Sequence, residues 1–134
     1  MAISFQNALG IHDSALRIRA QRAEVIAENL ANADTPNYKA RDLDFQAMLQ
    51  TAHQHQNRGL DMNVSDSKHV SGGATLFSDD ELLYRNPLAP SVDGNTVEAH
   101  VEHAKYMENS LAFQSSFTFL NGKFKGLMSA IRGE

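Results

Sequence analysis

Apolar residues recur at alternating spacings of four and three at both extremities of this chain, and no comparable series runs between them. The N-terminal series is Phe5, Leu9, His12, Leu16, Arg19, Ala23, Ile26 and Leu30, a heptad seam with His12 and Arg19 as polar interruptions. Ile11, Ala15, Ile18 and Val25 widen the apolar face beyond a two-stranded seam, as expected for a helix with several neighbours. At the other end Tyr106, Ser110, Phe113, Phe117, Leu120, Phe124, Leu127 and Ile131 keep the same spacing. Asp93-Gly94 is a turn dipeptide, and Asn95 with Glu98 three residues on forms a capping-box pattern. A helix is therefore predicted from about residue 96 to 131, roughly 50 Å long at ~1.5 Å per residue.

Two such helices cannot hide wide apolar faces on each other alone. The C-terminal one presents Phe113, Phe117 and Phe124 on one side, with Met107, Leu111 and Met128 partly off that line. Assembly resolves this: each helix pair packs against pairs from other subunits. The middle has no sustained period and carries Gly59, Gly72 and Gly73, while Arg85–Asn95 adds two prolines and reads as a connector. Met62–Val64 and Thr75–Phe77 could form short strands, with nothing to fix their pairing. Over fifty residues of this kind exceed an ordinary loop, so partners must order them or they stay disordered. The expected fold class is mainly α: long N- and C-terminal helices packing as a coiled coil in an assembly, around an extended, irregular middle segment. The expected division is an N-terminal helix over 1–33, a connector over 34–95 and a C-terminal helix over 96–134, the helices forming one core domain.

Charge follows the same division. Residues 1–41 hold five Lys/Arg and four Asp/Glu, and residues 96–134 hold four of each, whereas 42–95 hold three basic and eight acidic residues. The whole imbalance, a net −4, thus originates in the middle, and no basic excess marks a nucleic-acid binder. Zero Cys excludes disulfides, thiolate metal sites and Cys nucleophiles. No apolar run approaches the ~20 residues of a membrane span. The N-terminus lacks the basic and apolar regions of a cleaved secretion signal, which taken alone reads as cytoplasmic.

No chemistry rises above background. His53 and His55 form an H-x-H in a Gln-rich stretch, and His100 and His103 are three apart on the C-terminal helix. Neither pair has a third ligand at a recognisable spacing. Ser115-Ser116 lie inside a helical run, Gly72-Gly73 lack a phosphate-binding context, and Asp79-Asp80-Glu81 reads as a solvated turn or helix start. Arg17, Arg19 and Arg22 read as inter-subunit or solvated charges. No catalytic, cofactor or metal residue is assigned, and a non-enzymatic role is expected.

The N-terminal helix ends elaborately. Asn29 and Asn32 suit helix ends, because their amides compete for backbone partners. Thr35 precedes a proline and is pushed out of the α region. Thr35-Pro36-Asn37-Tyr38 has Pro at the second position of a β-turn. Tyr38, the charges Lys39, Arg41, Asp42 and Asp44, and Phe45 follow at once. On physical grounds this is either a plain stop with an exposed tail or an attachment point.

The stretch Ala15–Phe45 resembles the N-terminal signature of the bacterial flagellar basal-body rod protein family, whose core is carried here by Ala31–Tyr38. The extension Lys39–Phe45 points to its proximal-rod branch, and Val92–Glu98 and Leu120–Gly133 look like the same family. Residues Glu98–Glu108 depart from it, because related proteins usually carry a more acidic run there. The resemblance implies a structural subunit of the rod, the drive shaft linking the MS ring and export gate to the distal rod and hook. Its terminal helices would pack into concentric tubes as axial helices, with the chain between bridging neighbours.

Implied partners are copies of itself, other rod proteins and, at the rod base, a FliE-type adaptor, the MS ring and the export gate. The implied location is the periplasmic rod, reached through the flagellar type III apparatus without a cleaved signal. On the same basis Asn32, Thr35, Pro36, Asn37, Tyr38, Arg41, Asp42 and Phe45 are candidates for an inter-subunit connector. Leu9, Leu16, Ile26, Leu30, Phe113, Phe117, Leu120, Phe124 and Leu127 are the candidate packing seam. Phe5 and Leu9 fit a Phe-x-x-x-hydrophobic export-gate element, although both are also seam positions. The rival readings are a soluble helical hairpin acting as adaptor or export chaperone, and another rod component of the same family.

Overall fold

The computed structural model describes residues 9–57 and 82–133. Phe5, and the strands expected at Met62–Val64 and Thr75–Phe77, lie outside the described residues. Helix α1 spans His12–Ala31. Gly10, just ahead of it, has φ +61°, the left-handed region that glycine occupies without a Cβ penalty. The heptad line expected to run unbroken from Leu9 into His12 is therefore interrupted at Gly10, and α1 begins two residues later.

Strand β1 (Arg41–Leu43) follows the helix stop and pairs antiparallel with β2 (Leu82–Tyr84), Asp42 opposite Leu83. Between them in sequence lies α2 (Phe45–Asn57), inside the segment expected to be extended and irregular with short strands at most. Its start is capped by Asp44, whose Oδ1 accepts from the backbone N–H groups of Gln46 and Ala47 at 3.0 Å each. Phe45, Met48, Leu49 and Ala52 keep helical spacing, and Met48 and Ala52 are buried.

Helix α3 (Ala99–Arg132) has 34 residues and so runs about 50 Å, against about 30 Å for α1. The two lie antiparallel: Asn29 meets Glu102, Asn109 donates to the Arg19 carbonyl at 2.8 Å, and the His12 and Phe119 rings stand 6.0 Å apart. The apolar core is small. Ile18 and Val25 of α1 meet Leu43 and Met48, with Phe45, Leu49 and Leu82 packed around them.

The buried positions of α1 include Ile26 of the predicted seam and Ala15, Ile18 and Val25, the residues expected to widen it, with Asn29 continuing their line. Leu16 and Leu30 are half-buried. On α3 the buried positions are Glu102, Asn109 and Ser116, seven apart, with Leu120 and Leu127 half-buried further along. Phe113, Phe117 and Phe124 remain 39, 56 and 37% exposed in the single chain. The hairpin closes through small and polar side chains and leaves its aromatic stripe outside, so area burial within the chain contributes little from α3. The pair of long helices and the short-stranded region between them agree with the expected mainly α class.

Candidate functional site

The helix stop, β1 and the turn before α3 form one polar knot. Its centre is Asn29, fully buried in the last turn of α1. The Asn29 side chain acts as a short strand: Nδ2 donates to the Arg41 carbonyl at 2.7 Å, and Oδ1 accepts from the Arg41 N–H at 3.0 Å. Nδ2 also donates to Glu102 Oε2 at 3.2 Å, and the Tyr38 hydroxyl donates to Oδ1 at 3.4 Å. All four capacities of the amide are thus used, which is what permits its burial.

Asn95 performs the matching task at the end of α1. Its Nδ2 shares its two N–H groups among the carbonyls of Asn32, Ala33 and Thr35 at 3.1, 2.7 and 3.0 Å, which lie in the turn just past the end of α1. Its Oδ1 accepts from the Val97 N–H at 2.7 Å. Asn95 was expected to cap the start of the C-terminal helix. Instead Glu98 occupies that position without a side-chain cap hydrogen bond, and Asn95 Oδ1 is taken by the Val97 N–H ahead of the helix.

The connector is held on both sides. Asn37 N–H donates to the Asp93 carbonyl at 2.9 Å, Thr96 N–H to the Tyr38 carbonyl at 3.0 Å, and Ala40 N–H to Thr96 Oγ1 at 2.7 Å. On the other side Arg85 N–H donates to the Ala40 carbonyl at 2.9 Å. Gly94, at φ +73°, passes so close that a Cβ there would lie 2.6 Å from Asn37 Oδ1. Asn37 itself adopts φ +61°, which asparagine tolerates better than most residues.

Charges lock the assembly of elements. Asp42 accepts from Arg22 Nε at 2.9 Å, Arg22 Nη2 at 3.2 Å, Arg85 Nη2 at 3.0 Å and Lys105 Nζ at 3.4 Å. Arg85 Nη1 also donates to the buried Glu102 carboxylate. Burial alone would push the Asp42 carboxyl up. The hydrogen bonds and charge of Arg22, the Leu43 N–H and the Arg85 charge outweigh it and hold the group below the ordinary carboxylate range. The Asp42 hydrogen bond correspondingly raises Arg22. At the edge Arg41 Nη2 meets Glu28 at 2.9 Å, and the Arg19 guanidinium lies 4.1 Å from the Phe45 ring centroid.

The candidate connector residues therefore separate into two sets. Asn32, Tyr38, Arg41, Asp42 and Phe45 face partners within the chain, Asn32 Nδ2 donating to the Glu28 carbonyl at 2.9 Å, whereas Thr35, Pro36 and Asn37 are exposed. Leu83 and Tyr84 of β2, opposite Asp42 and Arg41, are also exposed, at 57 and 75%. Leu9 is half-buried just before α1. Arg22, Arg85, Asn95, Glu102 and Lys105 escaped the sequence reading as connector residues. The signal for Arg22 and Asn29 was present: both continue the line Ile11, Ala15, Ile18 and Val25 as polar members at heptad spacing.

Among the described residues no group of three His, Asp or Glu side chains could hold a metal ion. Among them, too, no helix is long and apolar enough to cross a membrane.

Comparison with known proteins places this geometry. The family model described as "Flagella basal body rod protein" matches residues 9–39. The chain is 47% identical over 137 residues to the flagellar basal body rod protein FlgB of Aeromonas hydrophila, covering 100% of this chain and 99% of that one. It is 43% identical over 130 residues to the protein of the same name from Cereibacter sphaeroides, covering 97% and 98%. With that of Salmonella typhimurium the identity is 40% over 129 residues, covering 94% of each.

Proposed function

The chain belongs to the flagella basal body rod protein family and is a structural subunit of the bacterial flagellar rod, and we propose that its polar knot fixes the connector so that neighbouring subunits can grip it. Asn29, Arg41, Asp42 and Phe45 hold the emerging chain to its own helices. Thr35, Pro36 and Asn37, together with Leu83 and Tyr84, meet the next subunit, and Tyr38 spans the two sets. The observation that carries this reading is the pairing of a fully satisfied buried polar centre with an aromatic helix face left exposed. A rigid attachment point and an uncovered packing surface are what a subunit of a shaft needs.

The subunit assembles with other rod proteins in the basal body. The finer placement in this proposal is the proximal rod, against a FliE-type adaptor, the MS ring and the export gate, a reading supported by near full-length similarity to proteins named FlgB. Passage through the flagellar type III apparatus without a cleaved signal, with Phe5 and Leu9 as the gate element, completes the proposal. The division into axial helices over 1–33 and 96–134 around a connector over 34–95 belongs to it too, amended by the helix α2 inside the connector.

The test is complementation of a strain lacking the chain, with isolation of basal bodies. The wild-type chain should restore the rod, and Tyr38→Ala should restore it poorly while remaining soluble in the cell. Normal rods from Tyr38→Ala would sink the connector role and return the motif to a plain helix stop.

A further inference from the structure

Two stripes of opposite size lie on the outside of the helix pair. On α1 the line Ala20, Ala23, Ala27 and Ala31 follows helical spacing and is exposed or half-exposed. On α3 Phe113, Phe117 and Ile131 share one line and are 39, 56 and 85% exposed. Where the two helices meet, a groove of about 300 Å³ is formed by Ala20 and Ala23 on one side and Tyr106 and Phe113 on the other. Helix packing favours large side chains entering spaces between small ones. Within one chain the stripes lie side by side and cannot interlock, because α1 and α3 are already joined through Asn29, Glu102 and Asn109.

The rims differ in charge. Glu24 and Glu28 are exposed beside the C-terminal half of the alanine line, Glu28 also meeting Arg41, while Arg17 and Arg19 stand at its N-terminal end. The stretch 110–133 of α3 carries Lys123, Lys125 and Arg132 and no acidic residue. From this complementarity we infer that the alanine groove of α1 receives the aromatic stripe of α3 from a second copy of this chain, head to tail. The inference rests on the rod-subunit reading and adds to it which two faces mate. A symmetric contact, aromatic stripe on aromatic stripe, would bring basic rims together and leave each alanine groove uncovered. A head-to-tail contact uses different faces on each copy, so addition continues past two subunits instead of closing.

The absence of cysteine from the chain makes the test direct. Full-length Ala20→Cys and Phe117→Cys are produced together in one strain, basal bodies are isolated, and disulfide formation is induced. A covalent dimer should appear in the mixture and with neither variant alone, and should be lost when Ala23→Trp is added to the first. Dimers of Phe117→Cys alone would overturn the inference in favour of the symmetric contact. Complete rods without the mixed dimer would overturn it while leaving the rod role intact. Complete rods in cells lacking the chain would overturn the rod role itself. If Phe117→Cys does not assemble, charge exchange decides: Glu24→Lys and Lys125→Glu should each reduce motility, and their combination should restore it. No restoration refutes the contact.

Discussion

Replacing Asn29 by Ala removes the side chain that bridges α1, β1 and α3. Two strong bonds to the Arg41 backbone, 2.7 and 3.0 Å, disappear together with the 3.2 Å bond to Glu102. Leaving the Arg41 N–H and carbonyl without partners costs about 1–3 kcal/mol each if water does not enter. The expected loss is about 2–5 kcal/mol, a large part of the ~5–15 kcal/mol that holds a domain. Urea unfolding followed by far-UV circular dichroism measures the total, and hydrogen exchange at the Arg41 amide locates it. Asn29→Asp sharpens the test, because it sets a carboxylate where Nδ2 now faces Glu102. That variant should be worse than Ala at neutral pH and recover as the solution is acidified and one carboxyl takes a proton. A change below about 0.5 kcal/mol for Ala, the size of an ordinary surface substitution, would refute the bridging role. So would an Asp variant that is as stable as wild type at pH 7.

Three further outcomes follow from the same geometry. Asp42 is held below its ordinary range in the folded chain, so its contribution is complete above about pH 4, the unfolded value. That contribution is lost as the pH falls from there through the lowered folded value, and a pH titration of stability should lose this component in Asp42→Asn. Gly94→Ala should weaken the turn by about 1–2 kcal/mol from backbone conformation alone, with the clash against Asn37 added, and thermal melting measures it. Leu120→Asp, at the half-buried edge between α3 and α1, should abolish rod assembly while the protein stays soluble, and retained motility in a swarming assay would show that the seam is misplaced.

The α1–α3 pair was legible because heptad spacing survives single-sequence reading. The choice of inward line was not. The series through Leu16, Ala23 and Leu30 looks the more apolar, yet within the chain only its Ile26 is fully buried, and the neighbouring line buries Ile18, Val25 and Asn29 with Arg22 half-buried among them. Those polar members find partners only on β1 and α3, which lie far away in sequence. Asn95 was misassigned on both atoms: its Oδ1 takes the Val97 N–H ahead of the helix, and its Nδ2 reaches carbonyls some sixty residues distant. Helix α2 could have been found from Asp44 and the spacing of Phe45, Met48, Leu49 and Ala52, but its Gln- and His-rich polar face hid it. The strands are three residues each, too short for a period to register.

The knot also dictates an order of events. Asn32 and Asn95 are 63 positions apart and Asn29 and Glu102 are 73 apart, so loop closure must be met in one step by many weak contacts. A chain emerging N-terminus first carries α1, the stop and β1 long before it carries the residues that tie them. Until about residue 105 is free, Asn29 and Asp42 have only their nearer partners, Arg41, Tyr38 and Arg22, and the contacts to Arg85, Glu102 and Lys105 that close the knot cannot all form. The completed knot is in effect timed by the chain's own tail: its long-range half waits for the residues that are made last.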